Sequence, residues 1–179
     1  YSRGVKIMDK CADLLPDCFN FVKGVVDSED LSLNISRELL QQDRQLKIIA
    51  NAIEKRIKKE LAEMLEKDRE NYEKFWKSFG LQIKYSIYSV FGANRELLEE
   101  LLMFVRASDG KLCTLKEYVD ACPEEQKLIY YAAGDSAERL KLLPQTELVR
   151  DKGYDILFLL DEVDEFLMNI LQRYSEKEF

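Results

Sequence analysis

The sequence predicts an α/β chain, built as a β-strand region, a three-helix segment and a small α-β-α sandwich. Three observations carry this. Gly4–Asp9 alternates apolar and polar residues, and Phe19–Asp27 is rich in β-formers. From Ser36 to about Ser89 apolar residues recur every three or four positions between Lys, Glu and Gln. Beyond Val105, two continuous apolar runs, Leu128–Ala133 and Tyr154–Leu160, alternate with short helix signals. The expected division is residues 1–35, a strand region ending in a polar loop, then 36–104, helical, then 105–179, the sandwich.

Each element has a local reason. Leu14-Leu15-Pro16 separates the two N-terminal strands with a turn or short helix. Two strands alone make no stable sheet, so they need further partners. In the first helix Leu39, Leu46, Ala50, Ile53, Ile57, Leu61, Met64 and Leu65 form one apolar stripe. Asp68 is placed to cap a second helix whose face carries Tyr72, Phe75, Trp76, Phe79, Ile83 and Ile87, with Gly80 as a weak point. Asn94 is placed to cap a third, through Leu97, Leu98, Leu101 and Leu102. The three helices are expected to pack on one another. Asp109-Gly110 reads as a tight turn, and Thr114 with Glu117 has capping-box spacing. Asp135-Ser136 and Pro144 each open a short helix between the two apolar strands, and Asp161 is expected to cap a last helix through Phe166, Ile170 and Leu171.

Composition narrows function. The 179 residues are 46% hydrophobic and 34% charged, enough for a real core under a solvated surface. A net charge of −7 argues against nucleic acid as partner. Residues 36–79 hold 11 Lys/Arg and 9 Asp/Glu, so the acidity lies mainly in the C-terminal third. There is no histidine, which removes the commonest general base and metal ligand. Cys11, Cys18, Cys113 and Cys122 have neither zinc-knuckle nor redox spacing, as suits small buried hydrophobes in a reducing cytoplasm. No segment approaches a membrane span and no signal peptide opens the chain. The chain starts at Tyr1 rather than Met, as a segment cut from a longer protein would.

Arg37 is the residue that most asks for an explanation. It falls in or just before the first turn of the long helix. Helix N-termini favour anions, so a cation there is unfavourable by a few tenths of a kcal/mol. Taken on the residues alone, it is either a surface arginine paired with Glu38 or Asp30, or a clamp whose guanidinium forks onto phosphate oxygens.

Leu33-Asn34-Ile35-Ser36-Arg37-Glu38-Leu39-Leu40-Gln41 resembles, nearly residue for residue, the catalytic loop of the heat shock protein 90 family of ATP-driven chaperones. The preceding Phe21–Leu31 is similar too. So are Glu70–Trp76, Gln126–Tyr131 with Gly134, and Phe158–Leu160 with Asp161–Glu165, in the family's order. The resemblance covers essentially the whole chain and is closest to the middle domain of the bacterial HtpG type. It implies that Arg37 contacts the γ-phosphate of ATP, that Gln41 lies beside it, and that Asn34 and Ser36 shape the loop. Ser32 stands where the family often has proline. It further implies that ATP and magnesium are held by an N-terminal domain outside this sequence, that the parent is a homodimer through a C-terminal domain, and that this chain alone is no ATPase. Unfolded or partly folded client proteins are the implied partners.

Two further groups carry alternatives. Asp161, Glu162, Asp164 and Glu165 form the densest acidic cluster. It reads as a magnesium site at a strand's carboxyl end or, better, as first-turn carboxylates complementing a helix dipole. The resemblance adds client contact at Glu165, Phe166 and Asn169, although Phe166 and Ile170 are also spaced to share a buried face. Trp76, the sole tryptophan, reads first as a core anchor and second as an exposed client contact. Two other classes stay open: a helical adaptor without catalysis, and a freestanding α/β hydrolase or phosphatase built on the Asp161–Glu165 cluster.

Overall fold

A computed structural model describes residues 1–31 and 44–179, and the chain divides into two compact units, 1–61 and 62–179. In the first unit the two expected N-terminal strands do not form. Residues 1–31 hold 3-10 turns at Ala12–Leu14 and Asp17–Phe19 and one isolated bridge, Ser2 to Val5. A strand persists only where a neighbour takes up its N–H and C=O groups. Here a few of those groups find other partners and no ladder forms. Arg3 and Gly4 adopt positive φ (49° and 75°) and fold Ser2 back onto Val5. The Tyr1 backbone nitrogen donates to Val26 O at 2.8 Å, and Gly4 N–H donates to the Asp27 carboxylate at 3.0 Å. Leu31 and Leu46 are buried, with Ile7, Met8, Cys11, Leu14 and Ile49 packed around them.

Helix α1, Arg44–Lys67, keeps the expected stripe: Leu46, Ala50 and Leu61 are buried, while Arg56 and Glu60 pair at 2.6 Å one turn apart on the outside. Its expected start near Ser36 lies outside the described residues.

The second unit is the α/β body. Helix α2, Arg69–Ser89, is capped as expected by Asp68, which accepts from Asn71 N–H. It buries Tyr72, Trp76, Gly80, Ile83, Lys84 and Ile87 on one face. The Tyr72 hydroxyl donates to Leu101 O at 2.6 Å, so this buried phenol is satisfied. The third helix is shorter than expected. Helix α3 covers only Arg95–Leu98, followed by a 3-10 turn at Glu99–Leu101, because Met103 already enters a strand. Asn94 makes no cap bond; its amide donates to Ser86 Oγ at 2.7 Å.

Strands β1 (Met103–Arg106), β2 (Leu112–Thr114), β3 (Tyr131–Ala133) and β4 (Leu157–Leu159) form a sheet in the order β2-β1-β4-β3. The β1–β2 hairpin turns at Asp109-Gly110, with Gly110 at φ +70°. β3 and β4 are parallel, Ala132 opposite Phe158, joined through α5 (Ala137–Lys141) and α6 (Pro144–Asp151). On that side of the sheet Ala107, Leu140, Ile156 and Phe158 make one core cluster. Helix α4, Leu115–Asp120, opens with the predicted Thr114/Glu117 capping box. Helix α7, Asp164–Leu171, packs against α2. The Arg95 guanidinium closes its C-terminal end by donating to Leu171 O and Arg173 O. No disulfide forms among the described residues; burial pushes the Cys113 thiol up to about 12, so it is an inert core residue.

Gly80 is required by a close approach, not by a bend: a Cβ there would lie 2.6 Å from the Trp76 ring. Gly80→Ala would gain about 1 kcal/mol of helix propensity but overpack a wedged indole at about 1–3 kcal/mol. The expected outcome is a net loss of up to about 2 kcal/mol, seen as a lower melting temperature by Trp76 fluorescence.

Candidate functional site

Arg37, Gln41, Asn34 and Ser36 all lie outside the described residues. The site that can be built from the structure is at the start of α7. Asp161 does not cap the helix: α7 begins at Asp164, and Val163 stands at its N-cap without a side-chain bond. Asp161 and Asp164 turn instead toward Lys84 on α2.

Lys84 Nζ lies 2.7 Å from Asp161 Oδ2, a hydrogen bond, and 2.8 Å from Asp164 Oδ1, an ion contact without hydrogen-bond alignment. The Lys84 and Asp164 side chains are almost fully buried, at 4% and 1% exposure, while Asp161 is 43% exposed. The ammonium also sits 4.7 Å from the Phe104 ring centre and 5.8 Å from that of Trp76, within cation–π range. Backbone bonds close the turn: Asp161 N–H donates to Asp164 Oδ2 at 3.1 Å, and Asp164 N–H to Asp161 O at 2.9 Å.

Asp161 and Asp164 both face the single Lys84 ammonium, which offsets their charge in part. No group of three or more metal-ligating side chains forms among the described residues. Sequence reasoning missed Lys84, although a signal was present: a lysine four residues after Gly80 and three before Ile87, on an otherwise apolar face.

The same turn fixes which face of α7 looks outward. Val163, Asp164, Leu167, Met168 and Leu171 are buried, while Glu165, Phe166 and Asn169 are exposed. Phe166 is therefore a surface residue, 55% exposed, its ring 5.6 Å from that of Tyr88. Trp76 is in the core, as its first reading has it, 7% exposed and wedged against Gly80, so only the second-choice client contact is overturned. Among the described residues no helix is long and apolar enough to cross a membrane.

Burial raises the Asp164 carboxyl above its ordinary range, with Lys84 opposing. The folded state then holds this proton more tightly than the unfolded chain, so its contribution to stability declines as pH rises from about 4 through the raised value. Urea unfolding across that range should show the decline in the native protein and lose it in Asp164→Asn. Lys84→Met leaves Asp164 buried without a counter-charge and should lower unfolding free energy by about 3–5 kcal/mol; an unchanged urea midpoint would remove the pair from the account of stability.

The model of the Hsp90 protein family matches residues 1–179. Proteins named chaperone protein HtpG from Oceanobacillus iheyensis, Bacillus subtilis and Clostridium acetobutylicum are each 62% identical to it over 179 residues, all of this chain and 29% of each relative. The chain thus spans under a third of the length of the curated relatives it matches. A match from the first residue to the last, at an identity this high, leaves one assignment: the chain belongs to the Hsp90 family.

Proposed function

We propose that this chain is the greater part of the middle domain of an ATP-dependent cytoplasmic chaperone of the HtpG type. The observation that carries the reading is the Leu33–Gln41 run inside a chain that the Hsp90 family matches end to end. In this reading Arg37 reaches the γ-phosphate of an ATP held, with magnesium, by an N-terminal domain of the same polypeptide. A guanidinium supplied across a domain interface stabilises the charge of the transferring phosphoryl group and couples chemistry to closure. Gln41 lies beside it, and Asn34 and Ser36 shape the loop. The chain by itself hydrolyses nothing. The parent works as a homodimer and binds unfolded or partly folded clients, with Glu165, Phe166 and Asn169 at the contact. The exposure of these three side chains on one face of α7 supports that part of the reading.

Arg37→Ala in the full-length protein tests the first claim. ATP turnover should fall at least about tenfold with ATP affinity little changed, since a contact made in the transition state acts on kcat. Unchanged turnover would favour a helical adaptor without catalytic part. Phe166→Ala should weaken suppression of client aggregation without altering ATP turnover, measured on the same preparations.

A further inference from the structure

We infer that the uncharged ledge on the second half of α2, continuous with Phe166, docks an extended apolar client segment flanked by Lys or Arg. The inference rests on the client-contact reading of Phe166 and deepens it.

The ledge is unusual for this chain. Although 34% of all residues are charged, Leu81–Asn94 contains a single charged side chain, Lys84, and that ammonium is buried. Leu81, Tyr85 and Tyr88 follow one another at helical spacing on the outer face of α2, at 49%, 45% and 39% exposure. The Tyr85 and Tyr88 rings meet edge-on at 6.5 Å, and Tyr88 continues into Phe166 at 5.6 Å. Exposed apolar side chains in one contiguous patch mark an interaction site, where the same residues scattered singly would not.

Past the helix end the chain does something costly. Phe91 adopts φ +49°, a region that bulky residues rarely enter, and its side chain is 87% exposed. The turn is pinned. Gly92 N–H donates to Ile87 O at 2.9 Å, and a Cβ on Gly92 would lie 2.8 Å from Ile170 Cγ2. Phe91 is thus held at a fixed place beside the helix that carries Phe166, yet packs on nothing that would explain an aromatic there. Backbone strain of this kind gathers where a ligand or partner is held.

The rim selects the occupant. At the Phe166 end the rim is acidic, since Glu162 and Glu165 are exposed and have no ion-pair partner among the described residues, while the exposed Lys77 stands at the far end, one turn before Leu81. Basic side chains flanking an apolar segment would meet these carboxylates and the faces of Tyr85, Tyr88 and Phe91. Acidic flanks would be repelled.

The test uses the full-length protein and two fluorescein-labelled peptides with the same apolar centre, one flanked by Lys and Arg, the other by Asp and Glu, read by anisotropy. The basic-flanked peptide should bind at least about tenfold tighter, with the advantage shrinking as salt rises. Glu162→Lys with Glu165→Lys should invert the preference. Phe91→Asn should weaken binding several-fold without lowering the melting temperature, because asparagine tolerates positive φ better than phenylalanine. Equal binding of the two peptides, or undiminished binding by Phe91→Asn, overturns the inference. If Phe166→Ala still weakens client binding in that case, the ledge is wrong and the client reading stands; if it does not, both fall.

Discussion

The second unit depends on one buried ammonium. Lys84 comes from α2, Phe104 from β1, and Asp161 and Asp164 from the turn between β4 and α7, and all meet within a few ångströms. Taking Lys84 out of water is expensive, and the adjacent Asp164 carboxylate adds to that cost. Such a group contributes little net stability over well-packed apolar side chains. It does, however, penalise any other packing of α2 on the sheet and α7, because a slipped register would strand a charge in the core.

That constraint reaches the surface. With the Asp161–Asp164 turn fixed, α7 can present only one face inward, and Leu167, Met168 and Leu171 take it. Glu165, Phe166 and Asn169 are outward as a consequence. The charge also explains the opposite side of α2. Its second half has a single ionised group and spends it internally, so the face it shows to water is Leu81, Tyr85 and Tyr88.

Much of this fold was legible from local pattern. Asp68 as a cap, the Thr114/Glu117 box, the apolar stripe of α1, and the parallel pair of β3 and β4 each depend on residues close in sequence or on long apolar runs. Other features were not. Leu97, Leu98, Leu101 and Leu102 have helical spacing and run on into the apolar Met103-Phe104-Val105, and pairing of Val105 and Arg106 with Phe158 and Leu157 decides that this end is a strand. The β-formers of residues 1–31 read as strands but lack a ladder in the structure, because propensity does not supply a hydrogen-bonding neighbour.

For the candidate site the division is sharper. The loop around Arg37 is read entirely from the order of its residues, and so is the family. Around Asp161 the sequence established an acidic cluster after an apolar strand and no more. It could not say where those carboxylates point, since their partner Lys84 lies 77 residues before Asp161 and still further before Asp164. Sequence by itself determined which segments are helical, where most of them begin, and what the chain is related to, because those follow from short-range spacing and from matched residues. Only tertiary structure decided that Trp76 is inside, that Phe166 is outside, and that Lys84 sets both, because burial is fixed by contacts between segments distant along the chain.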